Sequence, residues 1–277
     1  MSPEESVKIG DLAGALAQLQ ARVRAAPSVP GDRVFLFQLL ALLGQWSRAK
    51  TQLTVAGELD PSLLLTVNAY GAALDAEEAR AAVFRGERAP LVLGEPPPWM
   101  GPLLEANRLT ALGHHAPAAE LRAAAFEQAT TVAGQMDGTA FEWLADADSR
   151  FGPCLEVILE GRYYWVPFER IREIKLEAPA NLRDLVWMPA QVEWSNRGRA
   201  PVFVPTRYPG TESAGDDALK LARATRWDEP AEGAALGLGQ RFFATDVAEA
   251  GICDLRLIQL EVADGSAGEG PPVSSDG

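Results

Sequence analysis

The sequence predicts an α+β protein of two domains. Tetratricopeptide-like helical hairpins fill residues 1–134, a β-rich domain (a small barrel or a bent sheet) fills 135–262, and a mobile tail covers 263–277. Three observations carry this reading. Gly10, Leu12, Ala15, Leu19 and Pro27 recur 34 residues later as Gly44, Trp46, Ala49, Leu53 and Pro61, which is the period of stacked helical hairpins. From Gly138 onward the chain breaks into short runs rich in Val, Ile, Trp and Tyr, punctuated by Gly and Pro, the pattern of strands. After Val262 the chain is Gly, Pro and Ser with almost nothing apolar to bury, so no core can order it.

Each repeat position has a physical task. The Gly turns the chain between antiparallel helices, the small Ala lets two helices approach, and the Leu fills the space between hairpins. The Pro stops the second helix, since it lacks an N–H and clashes with the preceding turn. Residues 11–25 form an amphipathic helix with Leu12, Leu16, Leu19 and Val23 on one stripe and Asp11 as its cap. A linker follows over residues 27–31, then an apolar helix over 32–43 and its partner from Gln45 to Leu59, with Trp46 as a buried aromatic. Gly10 lies too near the N-terminus for a full first helix. A third, worn hairpin starts near Ser62, without the Gly and Pro markers. Gly94–Trp99 carries three prolines and makes a rigid crossing. Residues 99–112 and 116–129 pair around Gly113, packed by Ala118 and Phe126.

In the second half, six or seven strands are expected. They are Cys154–Leu159, Arg162–Pro167, Ile171–Leu176, Trp187–Trp194, Ala200–Pro205, Gln240–Asp246 and Asp254–Glu261, with a helix over 214–224. Asn196-Arg197-Gly198 between two apolar runs is a hairpin turn. Strand alternation puts Tyr163 and Trp165 on one face and Tyr164 and Val166 on the other.

The chain holds 25 Lys+Arg against 38 Asp+Glu, a net charge of −13. Residues 1–134 contribute −3 and residues 135–277 contribute −10. A nucleic-acid binder needs a positive footprint, and an anionic membrane surface attracts basic segments, so this balance argues against both. Cys154 and Cys253 each sit in an apolar context without a C-x-x-C neighbour. Two buried free thiols suit a reducing cytosol. No secretory leader opens the chain, and no apolar stretch approaches the ~20 residues of a membrane span. The expected location is therefore cytoplasmic.

Groups for catalysis are sparse. His114 and His115 are adjacent in a helix–helix turn, without a second His at helical spacing or a Cys to complete a metal site. Glu142, Asp146 and Asp148 form the best metal or acid–base cluster, yet they lack the Gly and distant Glu of a calcium loop. Their alternative reading is a loop whose Asp side chains accept backbone N–H groups and pair with Arg150. Gly237-Leu238-Gly239 precedes a strand and lacks the third Gly of a dinucleotide loop. No phosphate-loop or nucleophile-elbow motif occurs. No cofactor or metal is expected.

Eight stretches in order resemble the ImpE/TagJ family, accessory proteins of bacterial type VI secretion systems. They are FLFQLLALLGQWSRAKTQL, Asp60-Pro61, AAVFRGERAPLVLGEPPPW, DGTAFEWLADADSRFGP, GRYYWVPFERI, APANLRDLVW, PTRYPGTE and GLGQR. They run from about residue 12 to residue 260. The loop at His114-His115 and the tail after Val262 depart from the pattern. The resemblance implies a helical repeat domain followed by a β-rich domain in a cytoplasmic, non-enzymatic protein. It further implies binding to the small subunit of the contractile sheath, near that subunit's N-terminus. Through that subunit it implies a part in sheath assembly or in recycling by the ClpV unfoldase. A regulatory scaffold for another complex, or a metal-dependent enzyme using Glu142, Asp146 and Asp148, are the alternatives.

The repeat register also suggests a surface. The first helix of each hairpin lines the concave side of such a stack. That places Val34, Gln38 and Ala41 on the second hairpin, and Asn68, Ala72 and Asp75 on the third, as partner-binding residues. The exposed edges of the β domain and the cleft between domains are the other candidate surfaces.

Overall fold

The computed structural model describes residues 1–263. The expected mobile tail therefore lies, beyond Ala263, outside the described residues.

Helix α1 (Pro3–Ile9) is closed by a reciprocal cap, in which Glu5 N–H donates to Ser2 Oγ and Ser2 N–H to Glu5 Oε2. It is seven residues long, so the first hairpin is only half formed. Helix α2 (Leu12–Ala25) is capped by Asp11, whose Oδ1 accepts Gly14 N–H at 2.8 Å. Helices α3 (Pro30–Leu42) and α4 (Trp46–Leu59) form the second hairpin. Pro30 opens α3 instead of extending the linker, because its fixed φ and missing N–H suit a first turn. The repeat positions behave as the spacing requires, with Ala15, Leu19, Ala49 and Leu53 all buried. Gly44 turns the hairpin at φ 68°, and a Cβ there would stand 2.6 Å from Glu212 Cγ.

The third unit differs from the expected hairpin. It is one uninterrupted helix, α5 (Leu64–Phe84), 21 residues long. Without a Pro, Gly71 alone does not break it, since an interior Gly costs a helix only about 1 kcal/mol. A short strand, β1 (Leu91–Val92), precedes the pair α6 (Met100–Ala111) and α7 (His115–Gln128).

The strands that follow outnumber the six or seven expected. They are β2 (Gly134–Met136), β3 (Thr139–Phe141), β4 (Leu144–Asp146), β5 (Cys154–Leu159), β6 (Arg162–Pro167), β7 (Ile171–Leu176), β8 (Trp187–Trp194) and β9 (Arg199–Pro205). After the single turn α8 (Asp217–Lys220) come β10 (Thr225–Asp228), β11 (Leu236–Gly239), β12 (Phe242–Thr245), β13 (Glu249–Gly251) and β14 (Leu257–Leu260). The helix expected over 214–224 shrinks to α8 because Asp216 caps it late and Ala222 turns to φ 52°.

Nine strands form one sheet in the order β1-β6-β5-β9-β8-β7-β14-β2-β3. Its end strands do not meet, so an open sheet forms and no barrel closes. Strand β1 joins parallel to β6, so the helical stretch lends a strand to the sheet. One face of the sheet, with Tyr163, Trp165 and Trp187, packs in the same apolar cluster as the helices. The other, with Val166, Met188 and Val204, forms a second cluster under the smaller strands β4, β12 and β13. The β6 alternation thus falls as its sequence requires. Both cysteines are free; Cys154 is buried and Cys253 half-buried.

Trp46 is half-buried, with its ring 6.0 Å from that of Trp187. It lies at the surface of the helix–sheet junction, where the repeat spacing alone placed it in the core. Trp46→Ala is therefore expected to cost about 1.5–3 kcal/mol, below the ~3–5 kcal/mol of a fully enclosed aromatic. Urea unfolding of the variant measures the difference.

Candidate functional site

The sheet and α5 together make a groove. Helix α5 runs over β5 and β6. Ala72 closes on Gly161, where a Cβ would stand 3.0 Å from the Ala72 Cβ, and Phe84 meets Trp165 with ring centroids 6.2 Å apart. Tyr70 leans further, 4.9 Å from the Phe203 ring of β9. Beside the helix opens a cavity of about 700 Å³ with Asn68, Ala69 and Ala72 as its wall.

Strand register supplies the floor. Ile158 pairs with Phe203 and Phe203 with Pro189; Pro201 pairs with Gln191 and Gln191 with Lys175. These residues share the helix-facing side of the sheet. Glu160, at the β5–β6 turn, and Glu177, just after β7, stand at its two margins. Neither has an ion-pair partner among the described residues, whereas Lys175 pairs with Glu173 at 2.7 Å.

The residues suggested by the repeat register scatter over this groove, the interior and the open surface. Asn68 and Ala72 line the cavity. Asp75 is exposed and pairs with Lys50 at 2.5 Å. Val34 is half-buried, Gln38 is 8% exposed and Ala41 is fully enclosed. Their helix, α3, is covered by the 3-10 turn Leu182–Leu185 and by Arg207, whose Nη1 donates to the Leu42 carbonyl at 2.9 Å. The chain itself fills the concave side of its hairpins, and the open surface moves outward to the first half of α5. The floor is assembled by strand pairing, which no local spacing announces. Its only local signal is the pair of in-strand prolines, Pro189 and Pro201, on a face that also carries Gln191.

A buried ion network fastens α5 to the sheet. Arg80 donates from Nε to Glu156 Oε1 at 2.8 Å and from Nη2 to Oε2 at 3.1 Å, and Nη2 also reaches the Arg207 carbonyl at 2.8 Å. Tyr163 OH donates to Glu156 at 2.5 Å, and Trp165 Nε1 donates to that hydroxyl at 2.6 Å. Arg241 lies between Glu156 and Asp146 and pairs with both. Glu77 of α5 accepts Trp187 Nε1–H at 2.8 Å.

This network also accounts for the carboxylate cluster. Asp146 Oδ1 accepts Asp148 N–H at 2.9 Å and Tyr208 OH at 3.1 Å. Asp148 pairs with Arg150 at 2.5 Å and accepts Gly237 N–H at 2.7 Å. Both aspartates are spent on backbone donors and arginines, while Glu142 is exposed. Among the described residues no group of three His, Cys, Asp or Glu is placed to hold a metal.

Burial pushes the Asp146 carboxyl up to about 7 against the pull of Arg241. Burial would also raise Glu156, but Arg80 and Arg241 hold it below the usual carboxylate range. A carboxyl raised on folding binds its proton more tightly in the folded state. Its contribution to stability is complete below the unfolded value and is lost as pH rises through about 7. Melting temperatures from pH 5 to 8 are expected to fall less steeply in Asp146→Asn than in the wild type.

The family described as ImpE protein matches residues 138–259. A Pseudomonas aeruginosa protein described as type VI secretion system accessory component TagJ is 47% identical over 264 residues, covering 95% of this chain and 92% of its own. The crystal structure of a Vibrio parahaemolyticus protein superposes with a TM-score of 0.85 at 25% identity, covering 94% of this chain and 97% of that one.

Proposed function

The chain belongs to the ImpE/TagJ family, and from that premise we propose that it is a non-enzymatic accessory protein of type VI secretion that docks on the small subunit of the contractile sheath. The observation that carries this is the 47% identity, spread over 95% of the chain, to a protein described as a type VI secretion accessory component. The contact made is with a segment near the sheath subunit's N-terminus. Through it the protein acts on sheath assembly or on recycling by the ClpV unfoldase.

Two features of the molecule support a docking role. Asp146 and Asp148, two of the three carboxylates that offered the best enzymatic chemistry, are engaged in ion pairs, and the concavity beside α5 is mostly apolar with few polar groups. Such a groove suits a protein segment better than a reacting small molecule. No described helix is long and apolar enough to cross a membrane, and a cytoplasmic location follows from a partner that assembles there.

Titration calorimetry with the purified small sheath subunit tests the proposal. Binding at micromolar strength or tighter is expected, about −8 kcal/mol, and is lost when the subunit's N-terminal segment is removed. Folded partners that do not bind would refute it.

A further inference from the structure

We propose that the open edge of β10 is an interface with a second copy of this chain. The two β10 strands pair antiparallel about a two-fold axis at Trp227 and form a weak symmetric dimer. The inference stands apart from the docking role proposed above and does not depend on it.

The backbone leaves this edge free. Among the described strands β10 pairs with β11 alone, with Thr225 opposite Gly239 and Trp227 opposite Gly237. Gly237 N–H donates to Asp148 Oδ2 at 2.7 Å, and its carbonyl accepts Arg150 Nη2–H at 2.9 Å. Gly239 N–H donates to Thr211 Oγ1 at 2.8 Å, and its carbonyl accepts Tyr208 N–H at 2.9 Å. Both glycines thus turn their polar groups away from β10. Hydrogen-bonded and non-hydrogen-bonded pairs alternate along an antiparallel ladder. Arg226 and Asp228 are therefore the residues bonded to β11, while Thr225 and Trp227 turn N–H and C=O to the other side. No strand lies there, and such an edge is a template for pairing with another chain.

The side chains select the partner. Arg226 and Asp228 share one face of the strand, with Nε 3.4 Å from Oδ1 and both side chains 57% exposed. Trp227, on the opposite face, leans on the buried Tyr208 ring at 5.4 Å and is still 37% exposed. In a pairing centred on Trp227, its N–H donates to the Trp227 carbonyl of the second copy and its carbonyl accepts in return, with Cα atoms about 5.5 Å apart. Arg226 then stands opposite Asp228 of the second copy, and Asp228 opposite Arg226. Each charge gains a second neighbour of opposite sign on one face, and the two indoles meet on the other.

Charge also fixes the register. The smallest slip that keeps the open backbone groups paired is two residues. Slipped one way, Arg226 faces Arg226; slipped the other way, Asp228 faces Asp228. Like charges directly opposite are destabilising. A different partner would need opposite charges at the same two places, and this chain carries them in its own β10. The far side of β11 is already bonded to Asp148, Arg150, Tyr208 and Thr211, so pairing closes at two copies.

Sedimentation velocity over a concentration series tests the proposal. Four paired residues make a small interface, so a dissociation constant of about 10–100 µM is expected for the wild type. Arg226→Asp or Asp228→Arg alone sets like charges opposite each other at both ends of the pairing. Each is expected to weaken the dimer by at least about tenfold without moving the melting temperature, since both sites are exposed. Mixed in equal amounts, the two single variants face each other with opposite charges at both ends and are expected to associate about as tightly as the wild type. The double exchange, Arg226→Asp with Asp228→Arg, restores both the pair within the strand and the pairs across it, and is also expected to dimerise. A wild type that stays monomeric up to about 1 mM, or a dimer that both single reversals leave intact, overturns the proposal. So does a mixture of folded single variants that fails to associate, or a folded double exchange that stays monomeric.

Discussion

Replacing Glu156 by Gln is expected to destabilise the protein by about 3–5 kcal/mol, the cost of leaving buried charge without its partner. Glu156 is fully enclosed and is the one carboxylate that Arg80 and Arg241 share. The amide still accepts the Tyr163 hydroxyl, so the shape is kept and the loss is electrostatic. Arg241 retains Asp146, whereas Arg80 keeps the Arg207 carbonyl, the Phe84 ring face at 5.9 Å and a looser ion contact, 3.6 Å, with Glu77. Denaturant unfolding measures the cost. A loss under about 1 kcal/mol, the range of surface pairs, would show that the network does not fasten α5. Arg80→Met in the Glu156→Gln background removes one orphaned cation and is expected to recover part of the stability.

Trp187→Ala is expected to cost at least as much, about 3–5 kcal/mol for the enclosed ring and a further ~1–3 kcal/mol for the donor that Glu77 loses. Trp187 belongs to strand β8, but its ring meets Trp46 at 6.0 Å and Tyr70 at 6.1 Å, both on helices. Trp187→Phe separates the two contributions: it keeps most of the ring and is expected to lose only the smaller one. Because the ring ties helices to sheet, far-UV circular dichroism and tryptophan fluorescence are expected to report one coincident transition. A variant as stable as wild type would mean that helices and sheet share no core at this point.

The hairpins were legible because their determinants are local and periodic. Gly10, Ala15, Gly44 and Ala49 each act on the turn or the helix contact where they stand. The longer strands were legible for the same reason, since β5 to β9 are six to eight residues of apolar alternation. Strands β2, β3, β4, β11 and β13 escaped because three or four residues containing Gly, Ala, Thr or Asp carry no period; pairing makes them strands. In α5 the lost Gly and Pro markers signalled the absence of a turn, and one straight helix is the consequence.

The groove was half legible. The repeat register brought Asn68 and Ala72 to the right helix face, but it could not show that α3 would be covered by residues 182–185 and 207. That covering depends on how the sheet folds back over the hairpins. The ion network was invisible for a related reason: Arg80, Glu156 and Arg241 are separated by 76 and 85 residues, and no local spacing relates them. By contrast, the pairing of Asp148 with Arg150 was readable because it is made within one turn.

Hydrogen–deuterium exchange of the protein with and without the small sheath subunit tests the central claim most directly. The expected result is slowed exchange in the first half of α5, residues 64–72, and at the β5–β6 turn around Glu160 and Gly161. The α3 amides, already covered by the chain, are expected to stay unchanged. No protection anywhere on the folded protein, or protection that spares α5, would contradict it.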